Sequence, residues 1–471
     1  MSVIGTDSGV ATGIERFLAC CEGRWPADQP RPRLLTRAPG RLDCMGGMAD
    51  YSGALALQMP LERAALVAVG RRDDQQVLIE TVDFDGSEGA TRCVWPLSLL
   101  YRSDGQLITG ADLAARFSAT PWVRHAAGVM LALLESGDVP HLGGGLTLIL
   151  KSDIPVRAGL ASSAAIKVAV ARAVAGLFEV EVTPTALLRA CRAAAEVVDT
   201  HPGLVDDVTC LHGEADALLQ IRCQPDDVLG PMPLPRDVTL AAVDVGVRLP
   251  IYAQRYADNH VSSMMGRHIV ERLLQASGEV GDPTGGYLAN IAPSEYVRRF
   301  RNELPVKIRG ADFLDRYGAD EELAALIDRG RIYKVRSRTE HHIYENDRTH
   351  RFMERLARAR RTGERDALVE AGELMYASHW SYGQRCGMGS IETDTLVNRI
   401  RELGPSAGLY GAKATAGGCG GSLAVLMART DGAVQALEQA CAAYAARTGR
   451  EPTILLGSST GAMGFGCRML D

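Results

Sequence analysis

The sequence predicts an α+β protein of two lobes facing each other across a cleft, and three observations carry that prediction. The chain has 471 residues, more than one hydrophobic core usually serves. In both halves, short alternating apolar segments are interleaved with longer segments of helical period. Pro225, Pro231, Pro233 and Pro235 crowd the stretch between the halves, where a lobe boundary belongs.

A short helical segment at 13–21 and a Pro-rich connector at 25–33 make residues 1–32 an N-terminal extension. Alternation predicts strands at 64–70, 77–82 and 146–151. Helical spacing covers 122–134, 161–178 and 184–198. Strands resume at 217–223 and 238–245, which places the first lobe at 33–230 and the second at 231–471. The second lobe reads as mostly helical, over 253–275, 343–361, 366–381 and 391–403. It closes with strands near 408–414, 422–428 and 452–456.

Composition excludes several classes of function. The hydrophobic fraction of 46% and charged fraction of 23% are those of a globular protein, and a net charge of -6 offers no footprint for nucleic acid. No run of about 18 apolar residues reads as a membrane span. Residues 1–13 lack the basic and apolar regions of a secretion signal. The eleven cysteines are scattered, with no C-x-x-C spacing, which predicts reduced thiols and a cytoplasmic protein. His341-His342 has metal-ligating residue types but no partner at ligand spacing.

Three glycine-bearing segments carry the chemistry. In Asp153-Ile-Pro-Val-Arg-Ala-Gly-Leu-Ala-Ser-Ser-Ala-Ala165, a strand passes through a loop with Gly159 into a long helix. Unpaired N–H groups at a helix start suit phosphate oxygens, and serine hydroxyls there can ligate Mg²⁺. An ordinary Ser-capped helix fits the same residues. The run 37–53 combines a Pro39-Gly40 turn, Arg41, Asp43, Asp50 and four glycines. It reads either as backbone lining a ligand or as a surface turn leading to a strand. In 411–422, Gly417, Gly418, Gly420 and Gly421 bar regular structure and favour a tight loop between two strands.

In this order the three segments resemble the motifs of the galactokinase–homoserine kinase–mevalonate kinase (GHMP) superfamily, over almost all of the chain from about residue 33. The resemblance is to the galactokinase branch, through Pro39-Gly40-Arg41, Asp50-Tyr51, Gly203-Leu-Val-Asp-Asp207 and His342-x-x-Glu345-Asn346-x-Arg348. Met45-Gly-Gly, Leu57-Gln-Met-Pro60 and Cys386-Gly-Met-Gly-Ser390 also look like the kinase domain of plant L-arabinokinases. The resemblance implies a ribosomal-protein-S5-like first lobe, a ferredoxin-like α+β second lobe and an active site between them. It implies an ATP- and Mg²⁺-dependent sugar 1-kinase with a small sugar and ATP as partners, no nucleic acid or membrane partner, and a monomer or a homodimer. By resemblance Asp206 is the catalytic carboxylate and Arg41 its partner, which holds it ionised and offsets charge on the phosphoryl oxygens. Pro155, Gly159, Leu160, Ala161, Ser162, Ser163 and Ala164 are the ATP loop, and Ser163 and Glu196 the Mg²⁺ ligands. The segment from Glu196 to Asp206 is shorter than in galactokinases, and an exposed helix acid is the alternative there. Asp207, an amide in many relatives, is read as a bystander, and His341-His342 as structural.

Substrate choice rests on a departure from the family. Galactokinases carry Gly-Glu-His-x-Asp-Tyr at the sugar site, the Glu and His facing the 6-hydroxyl; here the run is Gly46-Gly47-Met48-Ala49-Asp50-Tyr51. Asp50, Tyr51, Gly203 and Tyr256 match sugar-contacting positions, while Gly47 and Met48 replace both 6-hydroxyl readers. L-Arabinopyranose lacks the C6 hydroxymethyl group, so L-arabinose is the expected substrate. An unpaired 6-hydroxyl disfavours galactose by about 1–3 kcal/mol, and room for water beside Gly47 would weaken that discrimination. A galactokinase of relaxed specificity is the alternative. A catalytically silent sugar sensor fits less well, because Arg41, Ser162, Ser163 and Asp206 are all present.

Overall fold

The computed structural model describes residues 7–82, 92–198, 205–225, 227–248, 252–278, 284–416 and 421–470. Helix α1 (Asp7–Glu22) leads into two long antiparallel strands, β1 (Leu34–Met45) and β2 (Leu55–Arg72). Strands β3 (Gln76–Val82) and β4 (Arg92–Pro96) follow, then helices α2 (Gly110–Arg116) and α3 (Arg124–Glu135), then β5 (Gly145–Ser152). Helices α4 (Ser162–Leu177), α5 (Pro184–Val197) and α6 (Asp206–His212) precede the hairpin β6 (Ala217–Arg222) and β7 (Asp227–Pro233). In the resulting sheet β5 joins β2 to β3, β4 forms one edge, and β6 pairs with the N-terminal end of β2.

Alternation along the strands decides what covers each face. Leu34, Ala38, Leu42, Val67 and Val69 face a core shared with α3, α4 and α5. Leu35, Leu66, Ala68 and Ile149 point the opposite way and are covered by Ile14, Phe17 and Cys21 of α1. The N-terminal extension therefore seals the back of the sheet.

Two readings of the sequence change here. Pro39-Gly40 is not a turn: both residues lie within the buried strand β1, at a register shift against β2. The proline-rich stretch supplies β7, where Pro231 and Pro233 sit in an edge strand that tolerates a missing N–H. Residue 230 thus lies within the first sheet, and the chain leaves that sheet after Pro233.

Strand β8 (Val238–Asp244) opens the second sheet, followed by α7 (Tyr252–Ala276). A helical insertion holds the small ribbon of β9 (Ile308–Arg309) and β10 (Ile332–Tyr333). Helices Val335–Thr362, Arg365–Ser381 and Ile391–Leu403 precede β11 (Leu409–Ala414) and β12 (Ser422–Ala428). Helix Asp431–Thr448 and β13 (Thr453–Leu455) complete the antiparallel order β11–β12–β8–β13. The last strand, β14 (Cys467–Met469), returns to pair with β1.

Period two again sorts the residues. Ala241, Val243, Leu423 and Val425 pack with helices Ile391–Leu403 and Asp431–Thr448. Leu240, Ala242, Ala424 and Leu426 join Phe352, Leu368 and Met375 in the core of the first lobe, so the two lobes share buried surface. Helix Asp431–Thr448 escaped the sequence reading because its buried face is partly alanine, which gives little apolar contrast. Where Arg365–Ser381 crosses β11, a Cβ at Gly372 would stand 1.8 Å from the Tyr410 carbonyl oxygen, so glycine permits that contact.

Candidate active site

Strand β1 delivers Arg41 to the cleft and α6 begins with Asp206, and the two side chains meet in a bidentate ion pair. Arg41 Nε donates to Asp206 Oδ1 at 2.7 Å and Nη2 to Oδ2 at 2.6 Å. The guanidinium is 5% exposed and the carboxylate 20%, so water and ligand reach the pair from the Asp206 side. Burial draws the Arg41 pKa down, but Asp206 and Asp43 beside it more than offset this and hold it above the ordinary value. Gln58 on β2, which accepts from the Thr209 hydroxyl at 2.7 Å, offers its amide to Asp206 Oδ1 at 3.5 Å.

The same arginine grips the loop between β5 and α4. Its Nη1 donates to the Gly159 carbonyl at 2.7 Å and its backbone N–H to that of Leu160 at 3.1 Å. A Cβ at residue 40 would stand 2.7 Å from Leu160 O, so Gly40 lets loop and strand touch. Pro155, Gly159, Leu160 and Ala161 form this loop. Arg157 and Ala161 adopt left-handed backbone (φ 56° and 61°), which turns the chain sharply into α4. Ala161 is the residue that precedes the helix and makes no side-chain cap, so Ser162 and Ser163 are first-turn residues, followed by the buried Ala164. Neither serine hydroxyl is engaged by another described residue, and the first-turn N–H groups stay available to an anion. Ser163 therefore fits a ligand of nucleotide-bound Mg²⁺. Glu196 is exposed near the end of α5, and no described contact brings it to Ser163. Among the described residues no cluster of three or more His, Cys, Asp and Glu could hold a metal alone.

From the second lobe, Arg248 is paired with Asp244 and donates to the Val156 carbonyl at 2.9 Å. Gly421 (φ 76°) packs on Val247, where a Cβ would stand 2.5 Å from the carbonyl oxygen. Gly417, Gly418 and Gly420 lie outside the described residues, as does Gly203.

The third region is the turn Asp50–Ser52. Asp50 is buried and accepts from the Tyr51 N–H at 2.8 Å. Tyr51 meets Tyr256 and His260 edge-on and hydrogen-bonds His342 at 3.2 Å. Ser52 donates to Ala49 O at 3.0 Å and stands 2.7 Å from His342 Nδ1. The hydroxyls of Ser52 and Tyr51 thus engage the two ring nitrogens of His342. Burial, with His341 and His260 nearby, holds the His342 pKa well below the usual range and keeps the ring neutral. His342 therefore orients Tyr51.

The surroundings of Gly47 correct one expectation. The Cβ side of Gly47 is not open: a Cβ there would lie 2.1 Å from Asp43 Oδ2, so the Asp43 carboxylate fills that side. That carboxylate is itself fixed by the second lobe. It accepts from the Ala416 N–H at 3.2 Å and lies 3.6 Å from Lys413 Nζ, both side chains being fully buried. Thr415 accepts from the Asp43 N–H and donates to its carbonyl, each at 3.0 Å. Met48 is fully buried with Tyr382, Cys386 and Met388, and Tyr256 packs against that cluster. Gln58, His342, Lys413 and Thr415 each stand in a run that the sequence singles out, but nothing in those runs assigns them these contacts.

A phosphate-ready helix start bound through one arginine to a carboxylate, in a cleft between two α+β lobes, is the arrangement of a GHMP kinase. Residues 124–214 match the GHMP kinases N terminal domain, as that arrangement requires. Galactokinase of Chloroflexus aggregans is 30% identical over 424 residues, covering 89% of this chain and 90% of that protein. The chain belongs to the galactokinase family, and it is a phosphotransferase of the galactokinase and L-arabinokinase type. L-Arabinokinase of Arabidopsis thaliana is 31% identical over 486 residues, covering 92% of this chain but 46% of that protein, so this chain spans about half of its length. The crystal structure of Lactococcus lactis galactokinase complexed with galactose superposes with a TM-score of 0.71 at 19% identity, covering 97% of this chain and all of that one, and shares the fold. No helix among the described residues is long and apolar enough to cross a membrane, and every described cysteine is free.

Proposed function

We propose that the chain transfers the γ-phosphoryl of ATP to the anomeric hydroxyl of L-arabinose, giving L-arabinose 1-phosphate. Asp206 accepts the hydroxyl proton or holds the hydroxyl by charge. Arg41 keeps Asp206 ionised and offsets charge on the phosphoryl oxygens. The start of α4, with Ser162 and Ser163, receives the triphosphate. Mg²⁺, when bound, supplies charge neutralisation to the phosphates, with Ser163 as the protein ligand that fits.

The observation that supports arabinose is the wall beside Asp50. Met48 is turned into a buried apolar cluster, and the Asp43 carboxylate covers Gly47 while itself bound to Lys413 and Ala416. Neither Gly47 nor Met48 carries a polar side chain for a hydroxymethyl substituent, and the unpartnered Asp43 Oδ1 is buried, so galactose would leave its 6-hydroxyl without a side-chain partner there. That costs about 1–3 kcal/mol, roughly 10- to 100-fold in kcat/KM. A galactokinase of relaxed specificity is the second reading, favoured by galactokinase relatives that align over nearly their full length.

The test is coupled ADP release with ATP–Mg²⁺ and a panel of L-arabinose, D-galactose, D-glucuronate, D-xylose and D-glucose. The proposal expects L-arabinose to give the highest kcat/KM. Galactose in first place would overturn the specificity, and no turnover with any sugar would overturn the kinase reading.

A further inference from the structure

Asp206 is followed by a second carboxylate, and the pair opens helix α6. Two like charges on adjacent residues inside a protein raise each other's pKa unless each finds a cation. Both do, from different elements. Arg41 on β1 takes Asp206. Asp207 is buried and paired with Lys167 of α4, whose ammonium donates to Asp207 Oδ2 at 3.1 Å and to the Cys191 carbonyl of α5 at 3.0 Å. Both side chains of this second pair are 4% exposed. Lys167 lies four residues after Ser163, one helical turn along α4. The row Arg41, Asp206, Asp207, Lys167 is electrically balanced, and it runs from the sugar-side strand to the phosphate-side helix.

We propose that Lys167 and Asp207 are positioning residues for the phosphoryl transfer: their buried ion pair fixes the start of α6 to α4 and sets the electrostatic environment in which Asp206 works. The inference rests on the sugar-kinase reading of the site. Asp207 is then a working part of the site, where resemblance alone made it a bystander. Asp207 Oδ1 has no hydrogen-bond partner among the described residues, so Lys167 is its main compensation.

The other groups around the pair do not supply that compensation. His125 of α3 faces Lys167, but burial and the Lys167 charge hold its pKa down to about 4, so it is neutral. Cys210 of α6 is buried and protonated, its pKa pushed well up by burial and by the two aspartates. Arg192 of α5 acts on Asp207 more weakly than Lys167 does. Asp43 acts on Arg41 from β1, and Gln58 of β2 is uncharged. Burial draws the Lys167 pKa down, but Asp207, with a further share from Asp206, more than offsets it and keeps the ammonium charged. The lysine therefore senses both carboxylates.

Three variants test this by the acid limb of the kcat–pH profile and by ¹³C titration of the Asp206 carboxyl in the full chain without sugar. In Lys167→Met the buried Asp207 loses its cation and, its pKa already raised by burial, takes up a proton, so the limb and the Asp206 titration stay near the wild-type position. Asp207→Asn leaves an uncompensated ammonium, and the limb and the Asp206 titration move down. The double variant Lys167→Met/Asp207→Asn returns both towards the wild-type position. A role in packing alone would not give a downward shift in Asp207→Asn that the double variant cancels. If Lys167→Met does not fold, Asp207→Asn and the double variant carry the test, the double variant leaving no buried charge unpaired. An Asp206 titration unmoved in Asp207→Asn, or moved upward, overturns the inference. A chain inactive on every sugar refutes the proposed function instead, since the ¹³C titration needs no turnover.

Discussion

Asp206→Asn is the substitution whose consequences the geometry defines most closely. The carboxylate receives Arg41 Nε at 2.7 Å and Nη2 at 2.6 Å. An asparagine can keep one of these bonds through its oxygen, but its NH₂ then opposes a guanidinium NH₂, donor against donor. The 5% exposed guanidinium loses its counter-charge and keeps only Gly159 O and one amide contact. Breaking a fully buried pair costs about 3–5 kcal/mol. Asp206 is 20% exposed, and water can enter beside the amide, so about 2–3 kcal/mol of stability is the expected loss. The chemical step loses a proton acceptor and a fixed negative charge together, worth about 10²- to 10⁴-fold in kcat. Coupled ADP release gives kcat, urea midpoints give stability, and calorimetry with L-arabinose reads binding, which should remain measurable. A variant with kcat within tenfold of wild type would refute the catalytic assignment of Asp206.

Other substitutions and pH test neighbouring parts of the site. Gly40→Ala drives a Cβ to 2.7 Å from Leu160 O, so the ATP loop must shift; KM for ATP should rise at least tenfold while sugar binding changes little, as steady-state kinetics would show. Gly47→Glu should not create a galactose site, because its Cβ would meet the Asp43 carboxylate at 2.1 Å; kcat/KM should fall at least 100-fold for arabinose and galactose alike. Stability should drop steeply in acid. Burial holds His125 near a pKa of about 4, His341 near about 3 and His342 well below its usual range. The unfolded chain protonates all three below about pH 6.5 while the folded chain does not. The stability they contribute is therefore complete above that pH and is lost as pH falls towards 4, at roughly 4 kcal/mol per unit for the three together. Urea midpoints at pH 8, 6 and 5 would check this, and His125→Phe should make the slope shallower.

Much of the site was legible because its chemistry depends on local sequence. The passage from β5 through Gly159 to Ser162-Ser163 announces a phosphate-ready helix start, since strand, glycine and helix are all encoded within about a dozen residues. The pairing of Arg41 with Asp206 followed from family resemblance, and the bidentate contact joins them. Residues joined across long separations stayed hidden. Lys167 carries no signal in the sequence and Asp207 reads as a bystander, until folding places them 3.1 Å apart. Gly47 read as open space because nothing local shows that Asp43 turns back over it, fixed there by Lys413 and Ala416.

The sequence by itself determined the class of fold and the strand–glycine–helix passage before α4, and resemblance to a family singled out Arg41 and Asp206. Periodicity, glycine and helix starts act within a few residues of chain. Only the tertiary structure decided that Pro39-Gly40 lies inside a buried strand and that the proline-rich stretch supplies a strand of the first sheet. It alone decided which cation compensates which carboxylate. Those outcomes depend on register and on burial, which remove water from charges that the chain brings together from distant positions.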